Sequence, residues 1–121
     1  MRQAAYCITL GIAAALYADV AAAHAVLVSS SLASGSVVTQ APREIRLSFS
    51  EGVEARFSSI TLTSSEGRKV QIGRPSGDPQ KRSDLVVSLP ALEPGKYLVR
   101  WQATSADSHR VQGSFDFEIK P

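Results

Sequence analysis

The chain has 121 residues, of which 44% are hydrophobic and 20% charged, and a formal net charge of +2. Those values suit one compact domain and exclude a second of ordinary size. They also argue against nucleic acid, because Arg43, Arg46, Arg56, Arg68, Lys69, Arg74, Lys81 and Arg82 are dispersed among acids without interleaved aromatics.

Residues 1–23 read as a removed export signal. Arg2 supplies a short positive start, "AAYCITLGIAAALY" an apolar stretch, and "AAA" before His24 places alanine at −3 and −1 of a cut between Ala23 and His24. Asp19 interrupts the run, and a membrane anchor needs about 20 uninterrupted apolar residues. Cys7 and Met1 leave with that segment, so the chain from His24 onward has no cysteine and no methionine. It therefore has no disulfide or thiolate site, and its stability must come from an apolar core.

After His24 the apolar residues alternate with period two, not with a helical period. "EIRLSFS" puts Ile45, Leu47 and Phe49 on one face; "SSITLTS" does so with Ile60 and Leu62. A turn at "EGR" leads to "KVQI" with Val70 and Ile72. "RPSGDPQKRSD", residues 74–84, is polar and reads as an exposed loop, followed by the short apolar run "DLVVSLP". The turn "LEPG" leads into "KYLVRWQAT", where Tyr97, Val99, Trp101 and Ala103 share a face; "GSFDFEI" turns Phe115, Phe117 and Ile119 inward. Short strands punctuated by Gly, Pro and Ser imply an all-β sandwich occupying residues 24–121.

Two histidines are present, His24 and His109. Cleavage before His24 would put a free amine and an imidazole on one residue, a chelating pair. Asp107 lies two positions before His109, and in an extended backbone the two side chains would face one side. Together these residues offer an amine nitrogen, two imidazoles and a carboxylate. Nitrogen and oxygen donors in tetragonal array favour Cu(II), whereas zinc prefers a tetrahedral shell. An amine has a reference pKa near ~8 and an imidazole near ~6.5, so binding would displace protons and weaken as pH falls.

Two blocks, "HAVLVSSSLASGSVVTQAPREIRLSFSEGVE" and "YLVRWQATSADSHRVQGSFDFEI", resemble the start and end of the CopC family of periplasmic copper-binding proteins. The resemblance implies a Greek-key, immunoglobulin-like β-sandwich and a Cu(II) site. Its ligands would be His24, through amine and ring, with Asp107 and His109; Glu51 matches a position near the metal. Trp101 would stand close to the site as a fluorescent reporter while also serving as a core aromatic. The resemblance further implies a monomer that sequesters copper or delivers it to a CopD-like inner-membrane transporter, without catalysis. Some family members bind Cu(I) through methionines, which are missing here, so a Cu(II)-only site is expected. Leu32 stands where the family often has proline, a difference expected to concern loop stiffness. The rival readings are a metal-free immunoglobulin-like interaction module and a copper-brace oxidative enzyme.

Overall fold

In the computed structural model the described residues are 25–121; the expected export segment 1–23 and His24 lie outside them. The chain forms a sandwich of two sheets. One sheet contains β1 (Leu27–Ser30), β3 (Glu44–Phe49), β7 (Lys81–Ser88) and β6 (Ser76–Asp78), in that spatial order. The other contains β2 (Ser36–Val38), β9 (Arg110–Ile119), β8 (Gly95–Thr104), β4 (Ser59–Ser64) and β5 (Lys69–Val70). The chain passes repeatedly from one sheet to the other, as a Greek-key sandwich requires. Neighbours are antiparallel except β2, which pairs in parallel with the end of β9.

The period-two pattern becomes the core directly. Ile45, Leu47 and Phe49 of β3, beside Leu85 and Val87 of β7 in the same sheet, pack in one core with Ile60 and Leu62 of β4, Tyr97, Val99, Trp101 and Ala103 of β8, and Phe115, Phe117 and Ile119 of β9. Each large apolar side chain buried in this way stabilises the fold by roughly 1.5–3 kcal/mol. A one-residue slip of β3 would turn all three of its apolar side chains to solvent, so the register is strongly specified. Tyr97 also donates its hydroxyl to the carbonyl of Glu93 at 2.6 Å, pinning the connection by which the chain crosses from β7 to β8. That is the tyrosine-corner device of such sandwiches.

Three expectations need correction. Residues 74–84 are not a simple loop: β6 and the start of β7 form a hairpin there, with a bulge between Gly77 and Asp78. The segment is polar because β6 is an edge strand with one neighbour, where polar side chains discourage further pairing. Asp78 shapes the turn by accepting the N–H of Gln80 at 2.9 Å. Second, Leu32 is 5% exposed and belongs to the core, so its role is packing and not loop stiffness. Third, only Lys69–Val70 of "KVQI" is strand; Ile72 packs against the core from outside it.

Asp84 ends the polar segment 74–84, yet it is 1% exposed. Arg46, directed away from the core by the alternation of β3, meets its Oδ2 at 2.7 Å and Asp78 Oδ2 at 3.1 Å. Both carboxylate contacts hold the guanidinium charged, raising its pKa above the ordinary value, with the Asp84 hydrogen bond contributing most. The guanidinium thus compensates a carboxylate that would be costly to bury alone.

Candidate metal centre

One end of the sandwich gathers four segments: the start of β1, the stretch after β3, the hairpin turn before β7 and the β8–β9 loop. Backbone hydrogen bonds tie them together. Val26 donates its N–H to Ser50 Oγ at 2.9 Å and accepts the N–H of Ser50 at 2.8 Å. Ala106 donates to the carbonyl of Gly52, Val53 to that of Arg82, and Glu54 to that of Thr104, at 2.8–3.0 Å. Val53 and Ser105 form an isolated antiparallel bridge. Ser58 completes the tie: its hydroxyl accepts the N–H of Thr104 and donates to the carbonyl of Glu54.

Asp107 and His109 sit on the β8–β9 loop and do meet, although not by strand alternation. Residues 105–108 make a tight turn in which Ser108 donates its N–H to the Ser105 carbonyl at 2.9 Å. Ser108 has φ of 78°, a left-handed conformation uncommon for a residue with a side chain. The turn folds the loop back so that His109 Nδ1 lies 3.2 Å from Asp107 Oδ2. The extended arrangement expected from the sequence is therefore replaced by a turn, with the same pair brought together.

Asp107 has its pKa lowered to about 2. The hydroxyl of Ser105 is the main cause; partial burial opposes it, and the ring and backbone N–H of His109 add to the lowering. Each of these hydrogen bonds favours the ionised form of the carboxylate. A hydrogen on His109 Nδ1 makes the contact with Asp107 a charge-assisted hydrogen bond and puts the lone pair of the neutral ring on Nε2. That is the arrangement by which a carboxylate orients an imidazole toward a metal. Asp107 keeps lone pairs of its own, since a carboxylate offers about four acceptor directions. Both side chains are partly open to solvent, 41% and 49% exposed, so an ion can reach them.

Glu51 lies between Ser50, bonded to the first described residues, and Gly52, bonded to the β8–β9 loop. It does not join Asp107 and His109 in one ligand group: among the described residues no three His, Cys, Asp or Glu side chains gather around a common point. His24 lies outside the described residues. Trp101 belongs to the core, with its ring edge-on to Phe49 at 5.2 Å between centroids and 70° between planes. It thereby lies beneath the end of β3, from which the segment containing Glu51 departs. Sequence reasoning missed Ser105, which is 1% exposed and bonds to both members of the pair. The signal available was a serine two residues before a candidate carboxylate ligand at a strand end.

Known proteins resemble this chain over most of the described residues. A family model described as the CopC domain matches residues 27–120. Protein YobA of Escherichia coli (strain K12) is 36% identical over 99 residues, covering 81% of this chain and 80% of that protein. Copper resistance protein C of Pseudomonas syringae pv. tomato is 34% identical over 119 residues, covering 93% and 94%. The crystal structure of CopC from Methylosinus trichosporium OB3b superposes with a TM-score of 0.77 at 33% identity, covering 81% of this chain and 95% of that one. These matches extend over nearly all of the described sandwich, including the loop that carries Asp107 and His109, and the chain belongs to the CopC family of copper-binding and copper resistance proteins.

Proposed function

We propose that the protein captures Cu(II) in the periplasm, without catalysis, through the amine and ring of His24 together with Asp107 and His109. It holds or delivers oxidised copper as a monomer, and a CopD-like inner-membrane transporter is the receiving partner. The observation that carries this reading is the Asp107–His109 pair, fixed by hydrogen bonds at the end of the sandwich where β1 begins. His24 is joined to Ala25 by a single peptide bond. Val26 is bonded to Ser50, and the segment following Ser50 is bonded to the loop carrying the pair. An N-terminal ligand therefore has a short covalent path to the same end of the domain.

The donor set explains the choice of ion. One amine, two imidazoles and a carboxylate favour Cu(II) in tetragonal geometry, while the chain from His24 onward lacks the sulfur donors that select Cu(I). Glu51 is assigned a supporting place outside the ligand set. Removal of residues 1–23 creates the amine, so the complete site exists only after export.

The test is a Cu(II) titration, against a competing chelator, of protein beginning at His24 and of the same protein with one extra alanine before it. Residues 25–121 supply both sheets and the whole described core, so both proteins fold alike. Tight one-to-one binding that the added alanine weakens by at least tenfold is the expected result. Equal binding by the two proteins would remove the amine chelate; absence of tight binding by either would remove the copper site. A parallel Cu(I) titration should reveal no second site, and a tight Cu(I) site would contradict the Cu(II)-only assignment.

A further inference from the structure

Ser105 is an unusual residue for the rim of a loop, because it is 1% exposed and uses all its polar groups locally. Its N–H donates to the carbonyl of His109 at 2.8 Å, and its carbonyl accepts the N–H of Ser108 at 2.9 Å. Its hydroxyl contacts Asp107 Oδ1 through a short hydrogen bond and accepts the backbone N–H of His109 at 3.2 Å. The same hydroxyl lies 3.2 Å from the His109 carbonyl. A hydroxyl has one proton to give. The His109 carbonyl already receives the Ser105 N–H, and the carboxylate is the stronger acceptor, so the proton goes to Asp107.

We propose that Ser105 is a positioning residue for the metal pair: its buried hydroxyl clamps Asp107 Oδ1, so that Oδ2 stays on His109 Nδ1 and the imidazole keeps one orientation. This inference rests on the copper reading given above. The clamp works because Ser105 is itself anchored, through the bridge to Val53, to the segment that joins the two sheets at this end. Asp107 is thus held at one oxygen by a fixed donor and at the other by the imidazole, before any metal arrives. Without the hydroxyl, a carboxylate 41% open to solvent can rotate away, and the imidazole loses its fixed orientation. Binding then costs the ordering that the clamp supplies in advance.

The experiment is a double-mutant cycle on protein beginning at His24, with Cu(II) affinity read by chelator competition and geometry by electron paramagnetic resonance. Ser105→Ala in the unsubstituted protein should weaken Cu(II) by about 10–100-fold, the range for residues that orient metal ligands. It should keep one-to-one stoichiometry and replace a single set of copper hyperfine lines by overlapping sets. In an Asp107→Ala background the same change should alter affinity by less than about twofold, because a clamp with nothing to hold has no effect. Equal losses in both backgrounds, or unchanged affinity and spectrum, would overturn the proposal. If the unsubstituted protein binds no Cu(II) tightly, the copper reading fails first and takes this inference with it. Should Ser105→Ala fail to fold, the metal-free unsubstituted protein decides: NMR couplings must show Asp107 in one χ1 rotamer, and rotamer averaging would overturn the clamp.

Discussion

His109 Nδ1 stands 3.2 Å from Asp107 Oδ2, and that contact selects one tautomer of the ring. An ionised carboxylate accepts only, so it stabilises the tautomer with hydrogen on Nδ1 and the lone pair on Nε2. Asp107→Asn presents an amide that can donate as readily as accept, which permits the opposite tautomer and removes the ligand charge. Cu(II) affinity at neutral pH should fall about 10–100-fold. Chelator competition checks this, and affinity within twofold of the unsubstituted protein would exclude any role for the carboxylate.

The same hydrogen bonds set an acid dependence. The folded pKa of Asp107 is lowered from 3.8 to about 2, so the metal-free folded state binds this proton less readily than the unfolded chain does. The stabilisation is fully present above the unfolded value and disappears as pH falls from near 4 through about 2. Unsubstituted protein and Asp107→Asn should therefore differ in thermal midpoint at pH 5, and the difference should narrow as pH falls from near 4 through about 2. A constant difference across that range would mean the ionised form is not the one favoured by folding.

Gly113 sits opposite Trp101 in the β8–β9 pairing, and a Cβ there would fall 2.6 Å from Trp101 Cζ2. Phe49 packs against the same indole, so the ring has little room to retreat. Gly113→Ala should destabilise the domain by about 1–3 kcal/mol, the usual cost of overpacking a core. For a domain of this size that lowers the thermal midpoint by roughly 4–8 °C per kcal/mol. Calorimetry together with a shifted Trp101 emission would confirm it; an unchanged midpoint would mean the indole yields freely.

Ser108 holds a φ of 78° between Asp107 and His109. Glycine adopts that conformation without steric cost, whereas a β-branched side chain resists it. Ser108→Gly should therefore leave Cu(II) affinity within about twofold, while Ser108→Val should cost roughly 1–3 kcal/mol of stability and weaken copper binding as the turn opens. Thermal unfolding and copper titration of both variants test this. Tight binding by the valine variant would show that the turn does not control the pair.

The sequence determined a good deal by itself. Alternation in "EIRLSFS", "KYLVRWQAT" and "GSFDFEI" identified the inward residues, because a strand's side-chain period of two is a local property. The resemblance carried by the Ser-x-Asp-x-His block and the His-Ala start identified the family before any contact was known, and the lack of sulfur from His24 onward limited the donor set. Only the tertiary structure decided which strands lie side by side, since pairing depends on residues far apart in the chain. It set β2 parallel to β9, made a hairpin of the polar stretch around Asp78, and brought Arg46 to the buried Asp84. It also converted Leu32 from a loop residue into core, by closing the two sheets over it. In the β8–β9 loop, spacing put Asp107 near His109, but the turn at Ser108 and the hydroxyl of Ser105 fixed how they meet. Those features depend on a left-handed backbone angle and a buried hydrogen bond, neither of which leaves a period in the sequence.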